Sequence, residues 1–265
     1  PRDPTEPGFA RAWADVVRAG IPNTVTRVFS SDTVGAAVVA QELKAEHVVV
    51  DTKRERVPIC ASDIRADVFA GFRWLAPRAR PWLALSVGLL GPECAGKTTL
   101  ARELAAALRA TVVEDGLRAE AAKHQGDMPP ETFANAIDWL AGRQHEAALR
   151  CDSGVLVVDD SALLGELWAT RLGHKVSNAH KNLVDNEQFD VTLICHDDFG
   201  FVGLPERDQP ELRKKMLADI IERTRHHKSV VHISGTDGAA RVDTAVAAIT
   251  AAMARRRPEL AELLG

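Results

Sequence analysis

Gly91-Pro92-Glu93-Cys94-Ala95-Gly96-Lys97-Thr98 fits the pattern G-x-x-x-x-G-K-[ST] at every fixed position. An apolar run, Ala84–Leu90, precedes it and a strong helix-forming stretch, Leu100–Arg109, follows. That strand–loop–helix context turns a short pattern into a phosphate-binding site. The glycines allow the backbone to curl so that successive N–H groups point inward, and the helix N-terminus adds partial positive charge. Lys97 is expected to reach the β- and γ-phosphates, and Thr98 to offer its hydroxyl to Mg²⁺. Glu93, Cys94, Ala95 and Thr99 complete the wall of an ATP site, and a thiol at Cys94 sits where alkylation would block it.

In an open parallel sheet, ligands bind beyond the carboxyl ends of the strands. Here those ends are acidic. Asp159 closes Val155-Leu156-Val157-Val158 and is the expected Mg²⁺ partner of Thr98, with Asp160 or Ser161 better suited to cap the next helix. Glu114 and Asp115 follow Thr111-Val112-Val113. Either could hold an acceptor hydroxyl and take its proton, and the pair reads equally as a solvated acidic turn. The stretch Glu131–Leu149 has helical spacing, with Phe133, Ile137, Leu140 and Gln144 on one face and Asn135, Asp138 and Gly142 on the other. The second face suits an acceptor, Gly142 leaving room for its close approach, and suits solvent equally. Arg207, before Arg213-Lys214-Lys215, is a candidate to fold over the phosphates. Ser234-Gly235-Thr236 would bring Gly235 backbone to an adenine, or be a plain turn.

The elements that must position these residues alternate. From Leu83 onward five apolar runs, near residues 84–90, 111–113, 155–158, 190–195 and 229–233, are separated by helical stretches, the last of these two helices, Ala239–Ala254 and Glu259–Leu264. This predicts a P-loop kinase-type parallel sheet with helices on both faces. The first third also alternates, with helix Phe9–Ala19, strand Thr24–Phe29, helix Gly35–Lys44 and strand His47–Val50. Two strands are too few for an independent sheet of this type, so the stretch either packs on a neighbour or lacks its first half, a partial Rossmann-like unit in the second case. Arg73, Arg78 and Arg80 with Pro77 and Pro81 read as a connector, so the boundary is expected at residue 80: a partial domain over 1–80 and a kinase domain over 81–265.

Composition narrows the rest. The 265 residues are 46% apolar, enough to fill a sizeable core, and carry a net charge of −4, which disfavours a nucleic-acid partner. The four cysteines form no C-x-x-C pair and the nine histidines no ligand spacing, which points to free thiols in a reducing, cytoplasmic setting. No run is long enough to span a bilayer, and Pro1-Arg2-Asp3-Pro4 does not read as a signal peptide.

The order of motifs resembles the bifunctional nicotinamide-nucleotide adenylyltransferase/ribosylnicotinamide kinase (NadR-type) family. Val57-Pro58-Ile59-Cys60-Ala61-Ser62-Asp63-Ile64-Arg65 resembles the I-S-x-T-x-I-R segment ending that family's adenylyltransferase domain, and Ser30-Ser31-Asp32-Thr33-Val34-Gly35 its earlier Ser-Ser-Glu-x-Tyr-Gly. Trp74 and Arg80 match the junction, Ile137-Asp138-Trp139 and Gly142-Arg143-Gln144 its kinase helix, and Phe189-Asp190-Val191-Thr192 its fourth strand. Asp115-Gly116-Leu117-Arg118 loosely matches Glu-Tyr-x-Arg, and Asp159-Asp160-Ser161 replaces Asp-Thr-Asp. The adenylyltransferase signature G-x-F-x-P-x-H is absent from the sequence, as is its later H-x-G-H or T-x-G-H, so adenylyl transfer is not expected and the first third looks truncated. The resemblance implies ATP-dependent phosphorylation of the 5′-hydroxyl of nicotinamide riboside. Its alternative is an ATP-binding regulatory protein or ATPase without nucleoside kinase activity. In the first case Lys97, Glu114 or Asp115, and Arg207 would act on the transfer. Asp138, Asn135 and Arg118 would bind a small nucleoside, and Thr98 and Asp159 would hold the metal. A homo-oligomer is compatible with this reading.

Overall fold

The computed structural model describes residues 3–123, 129–159, 161–200 and 210–263, which divide into two compact units, 1–61 and 62–265. In the first unit α1 (Phe9–Gly20) precedes a β–α–β turn of β1 (Arg27–Ser30), α2 (Gly35–Leu43) and β2 (Glu46–Val49). The strands are parallel, with Arg27 opposite Glu46 and Phe29 opposite Val48. Asp32 starts α2 by accepting from the N–H groups of Val34, Gly35 and Ala36, and these bonds hold its carboxyl below the usual range.

The second unit opens with α3 (Ala61–Ala66), two 3₁₀ turns (Phe72–Trp74, Pro77–Ala79) and α4 (Arg80–Leu83). The boundary expected at residue 80 therefore shifts. Val68, Phe69 and Phe72 are buried in the same core cluster as Val87, Leu89 and Val157, so apolar burial draws the connector into the second unit. Arg80, also buried, fixes it there by donating to the carbonyls of Leu75 and Arg73 and to Asp152 at 2.7 Å.

The remaining elements are β3 (Leu85–Leu90), α5 (Lys97–Leu108), β4 (Thr111–Val113), α6 (Gly116–Lys123), α7 (Pro130–Arg150), β5 (Val155–Val158), α8 (Ala162–Arg171), α9 (Asn178–Asn186), β6 (Val191–Cys195), α10 (Pro210–Thr224), β7 (Val230–Ile233) and α11 (Gly238–Leu263). The five strands pair in parallel in the order β4-β5-β3-β6-β7. Each strand lies within one residue of its expected position, because buried parallel strands read as short continuous apolar runs. Leu85, Val87 and Leu89 face the cluster shared with α5 and α11, while Leu90 faces the cluster of Leu163, Ile194, Met216 and Ile220. The two C-terminal helices expected from the sequence are one. α11 runs through Pro258, which cannot donate to the carbonyl four residues back. Burial of Leu260 in the main core holds the helix together past that point. Among the described residues no helix is long and apolar enough to cross a membrane.

Gly88, in the middle of β3, has no room for a side chain: a Cβ there would lie 2.3–2.7 Å from ring carbons of Phe189. Gly88→Ala is expected to cost about 1–3 kcal/mol in urea denaturation by overpacking. Combining it with Phe189→Leu should cost less than the sum of the two single changes, since both act on one contact.

Candidate functional site

The site is built at the carboxyl ends of β3, β4, β5 and β7. After Leu90 the chain must turn beside β6, and Gly91 makes this possible. Its φ is +150°, and a Cβ would meet the Cys195 carbonyl at 2.5 Å. Gly96, at φ +79°, then sets the N-terminus of α5. The loop between them curls over Lys97, whose Nζ donates to the carbonyls of Gly91 (2.8 Å) and Pro92 (2.9 Å). Cys94 takes a left-handed conformation, Ala95 and Lys97 are buried, and Thr99 is exposed at the rim. A cavity of about 490 Å³ opens over this loop, lined by Cys94, Gly96, Lys97, Thr98, Thr99, Arg118, Phe199 and Thr236 among others.

Thr98 does not cap its helix; it reaches across to β5. Its Oγ1 donates to Asp159 Oδ2 at 2.6 Å, and Asp159 Oδ1 is buried with no partner among the described residues. Burial pushes the Asp159 carboxyl above the usual range. The Thr98 hydroxyl and the Lys97 charge pull it back, and the Asp115 charge adds to the rise. One hydroxyl, one half-used carboxylate and open space beside them fit a hard cation that keeps most of its ligands as water and phosphate oxygens. Thr98 and Asp159 are therefore the residues that could hold Mg²⁺. Ser161, not Asp159, caps α8: its Oγ accepts from Leu163 and Leu164 N–H and donates to Glu187 at 2.6 Å.

Glu114 and Asp115 separate. Glu114 is exposed, and its carbonyl accepts from Arg143 at 3.1 Å. Asp115 is half-buried, accepts from the N–H of Arg118 at 2.9 Å, and its Oδ2 lies 3.7 Å from Arg118 Nε. Arg118 in turn places Nη1 3.4 Å from Thr98 Oγ1. The structure thus brings Lys97, Thr98, Asp159, Asp115 and Arg118 into one neighbourhood and leaves Glu114 on the rim. Gly235, at φ +83°, donates its N–H to Asp198 at 2.6 Å. At Gly142 a Cβ would meet nothing within 4 Å, so no neighbouring group among the described residues requires a glycine there, and the space beside it is open. Arg207 and the side chains of Asn135 and Asp138 lie outside the described residues.

Two contributors were missed in the sequence. Glu187 accepts from Ala162 and Leu163 N–H and from Ser161, fixing the start of α8 beside Asp159, and burial pushes its carboxyl up. Arg241 is buried and donates to Ala95 and Gly235 carbonyls. A signal for it was present: Arg241 begins the helical stripe Ala245, Ile249, Ala252, so a charge stood at a core position.

Comparisons with known proteins agree with this architecture. The chain is 21% identical over 179 residues to the trifunctional NAD biosynthesis/regulator protein NadR of Escherichia coli (strain K12), covering 66% of this chain and 44% of that protein. To the protein of the same name from Salmonella typhimurium (strain LT2) it is 21% identical over 216 residues, covering 79% and 53%. The chain thus spans about half the length of the curated relatives it matches. Among solved structures it resembles a NadR protein in complex with NR, with a TM-score of 0.63 and 16% identity over 95% of this chain and 76% of that one. A NadR protein in complex with NAD and AMP-PNP gives 0.61 and 16% over 94% and 74%. At these identities the structural likeness is one of fold, an α/β P-loop kinase fold. A family model described as an AAA domain matches residues 86–241, more than half of the chain and the whole run from β3 into α11, and the chain belongs to that family.

Proposed function

We propose that the chain transfers the γ-phosphoryl group of ATP to the 5′-hydroxyl of nicotinamide riboside, giving the mononucleotide of NAD salvage. The observation that carries this reading is the Thr98–Asp159 contact at 2.6 Å beside Lys97, with the Asp115–Arg118 pair next to it. The likeness to NadR proteins, one of them complexed with NR and one with NAD and AMP-PNP, supports the choice of acceptor and donor.

In this reading the loop N–H groups and the N-terminus of α5 hold the phosphates, and Lys97 exchanges its two loop carbonyls for phosphate oxygens. Mg²⁺ bound by Thr98 and Asp159 supplies neutralisation of phosphate charge. Asp115 accepts the proton of the 5′-hydroxyl as its oxygen bonds to phosphorus, and ADP leaves as the bridging bond breaks. Arg118, with Asp138 and Asn135, binds the acceptor, and Arg207 closes over the phosphates and excludes water. A second reading, an ATPase or an ATP-binding regulatory protein, draws on Ser161, which caps α8 where a second acid would stand.

Coupled ADP release with a nucleoside panel separates these readings. Stimulation by nicotinamide riboside is expected; release equal to that in buffer alone would sink the acceptor assignment, and release without any nucleoside would favour an ATPase. Lys97→Ala should lower turnover by a factor of about 10³ or more while leaving the circular dichroism spectrum intact, as loss of a main phosphate contact requires.

Asp159→Asn makes a prediction in the opposite sense for stability. A carboxyl raised by burial favours folding most when protonated, so its contribution is full below the ordinary carboxylate pKa and is lost as pH rises through the raised value. At neutral pH without metal the Asn variant should therefore melt higher than the parent, by about 2–4 °C for each kcal/mol of relief. Its melting temperature should no longer rise on adding Mg²⁺ and AMP-PNP. A lower melting temperature in EDTA would contradict the burial argument.

A further inference from the structure

Arg241 is a cation that the transfer chemistry does not use, and it is only 3% exposed. From the first turn of α11 its Nη2 donates to the Ala95 carbonyl at 2.7 Å and its Nη1 to the Gly235 carbonyl at 2.9 Å. Its Cζ lies 4.8 Å from the centroid of the Phe199 ring. That ring closes on the phosphate loop itself, since a Cβ on Gly96 would come within 3.0 Å of Phe199 Cε2. Two further contacts complete the circuit. Asp198 accepts from the Gly235 N–H at 2.6 Å, and both Nη atoms of Arg213 donate to the Phe199 carbonyl at 3.3 Å. The loops after β3, β6 and β7 thus close into one ring of contacts through a single guanidinium.

We propose that Arg241 is a positioning residue that sets the phosphate loop for the triphosphate, by pinning the Ala95 carbonyl so that the Gly96 N–H faces the phosphates. A peptide unit is planar and trans, so its carbonyl and its N–H point in opposite directions, and fixing one fixes the other. A loop held this way gives up less freedom when an anion binds, because its donors are already aimed. Charge acts in the same direction. The partners of Arg241 include two carbonyls, an aromatic ring and the Cys195 thiol. Burial pushes the neighbouring Cys195 thiol up, so it stays neutral and does not offset the guanidinium. The fork geometry matters as well: a lysine offers one point charge and cannot hold both carbonyls in the same fixed plane. This inference rests on the triphosphate-binding half of the proposed function and not on the acceptor.

Calorimetric titration of the full chain with Mg·AMP-PNP and with Mg·tripolyphosphate tests it. Arg241→Gln should weaken both ligands by the same factor, about tenfold or more for a lost charge-assisted pair, with a smaller loss for Arg241→Lys. Unchanged affinity, or a loss confined to AMP-PNP, would overturn the proposal, because the effect must act on phosphate and not on the base. If Arg241→Gln does not fold by near-ultraviolet circular dichroism, Arg241→Lys carries the test. It keeps a buried cation but cannot hold the Ala95 and Gly235 carbonyls together, and equal weakening of both ligands is expected, whereas no weakening overturns the idea. Wild-type binding of AMP-PNP without turnover of nicotinamide riboside would sink the acceptor assignment and leave the role of Arg241 standing. Wild-type failure to bind either ligand would overturn both.

Discussion

The site depends on β3 being packed on every side. Its backbone is hydrogen-bonded to β5 and to β6, and its two faces lie in separate apolar clusters. A strand so enclosed has no freedom to shift, so the loop leaving it begins from a fixed point. The same pairing brings the end of β5 alongside, which is why a threonine on α5 can meet an aspartate on β5 across 61 residues of sequence. Gly91 follows from the same crowding: the Cys195 backbone on β6 is too near for any side chain.

Charge is arranged around that fixed point at some cost to the folded state. Asp159 and Glu187 are both buried carboxyls pushed above their ordinary range, and each is partly compensated by hydroxyl or N–H donors. The donors differ. Glu187 spends both oxygens on Ser161 and the first N–H groups of α8, whereas Asp159 Oδ1 has no partner among the described residues. A buried carboxylate with all its lone pairs engaged serves structure; one with an oxygen left over is suited to a ligand. Lys97 and Arg118 act on Asp159, and with Arg241 they line the cavity that a polyanion would enter.

Much of this was legible in the sequence, for identifiable reasons. The five strands were, because parallel strands buried on both faces are unbroken apolar runs. Lys97, Thr98 and Asp159 were, because each sits at a fixed offset from such a run. The boundary at residue 80 was misplaced, because the prolines and arginines of 73–81 look like linker while the aromatic residues before them, Phe69 and Phe72, decide the packing. The two helices expected over Ala239–Ala254 and Glu259–Leu264 are one for the same kind of reason: burial of Leu260 outweighs the local propensity of the residues between them. Glu187 was illegible as a site residue because the groups it holds at the start of α8 lie far from it in sequence, and Arg241 was legible only as a charge on an apolar stripe, not through its bond to the Ala95 carbonyl 146 residues away.

The two acids after β4 show how such distant contacts set side-chain directions that spacing leaves open. A proton acceptor in phosphoryl transfer must hold one direction, since small misplacement forfeits most of the benefit of proximity. The backbone here is held from outside: Arg143, a full helix away, donates to the Glu114 carbonyl and lies so close over Gly116 that a Cβ would be 2.0 Å from its Nη1. With that turn fixed, Asp115 is directed inward, where it starts α6 and pairs with Arg118. Its charge is felt at Asp159, at the end of the neighbouring strand β5. The Glu114 side chain has one more rotatable bond and an exposed position, and no hydrogen bond among the described residues fixes its direction. Of the two acids, the one held in a fixed direction is therefore Asp115, and it is held by contacts with Arg118 and by the turn that Arg143 and Gly116 fix.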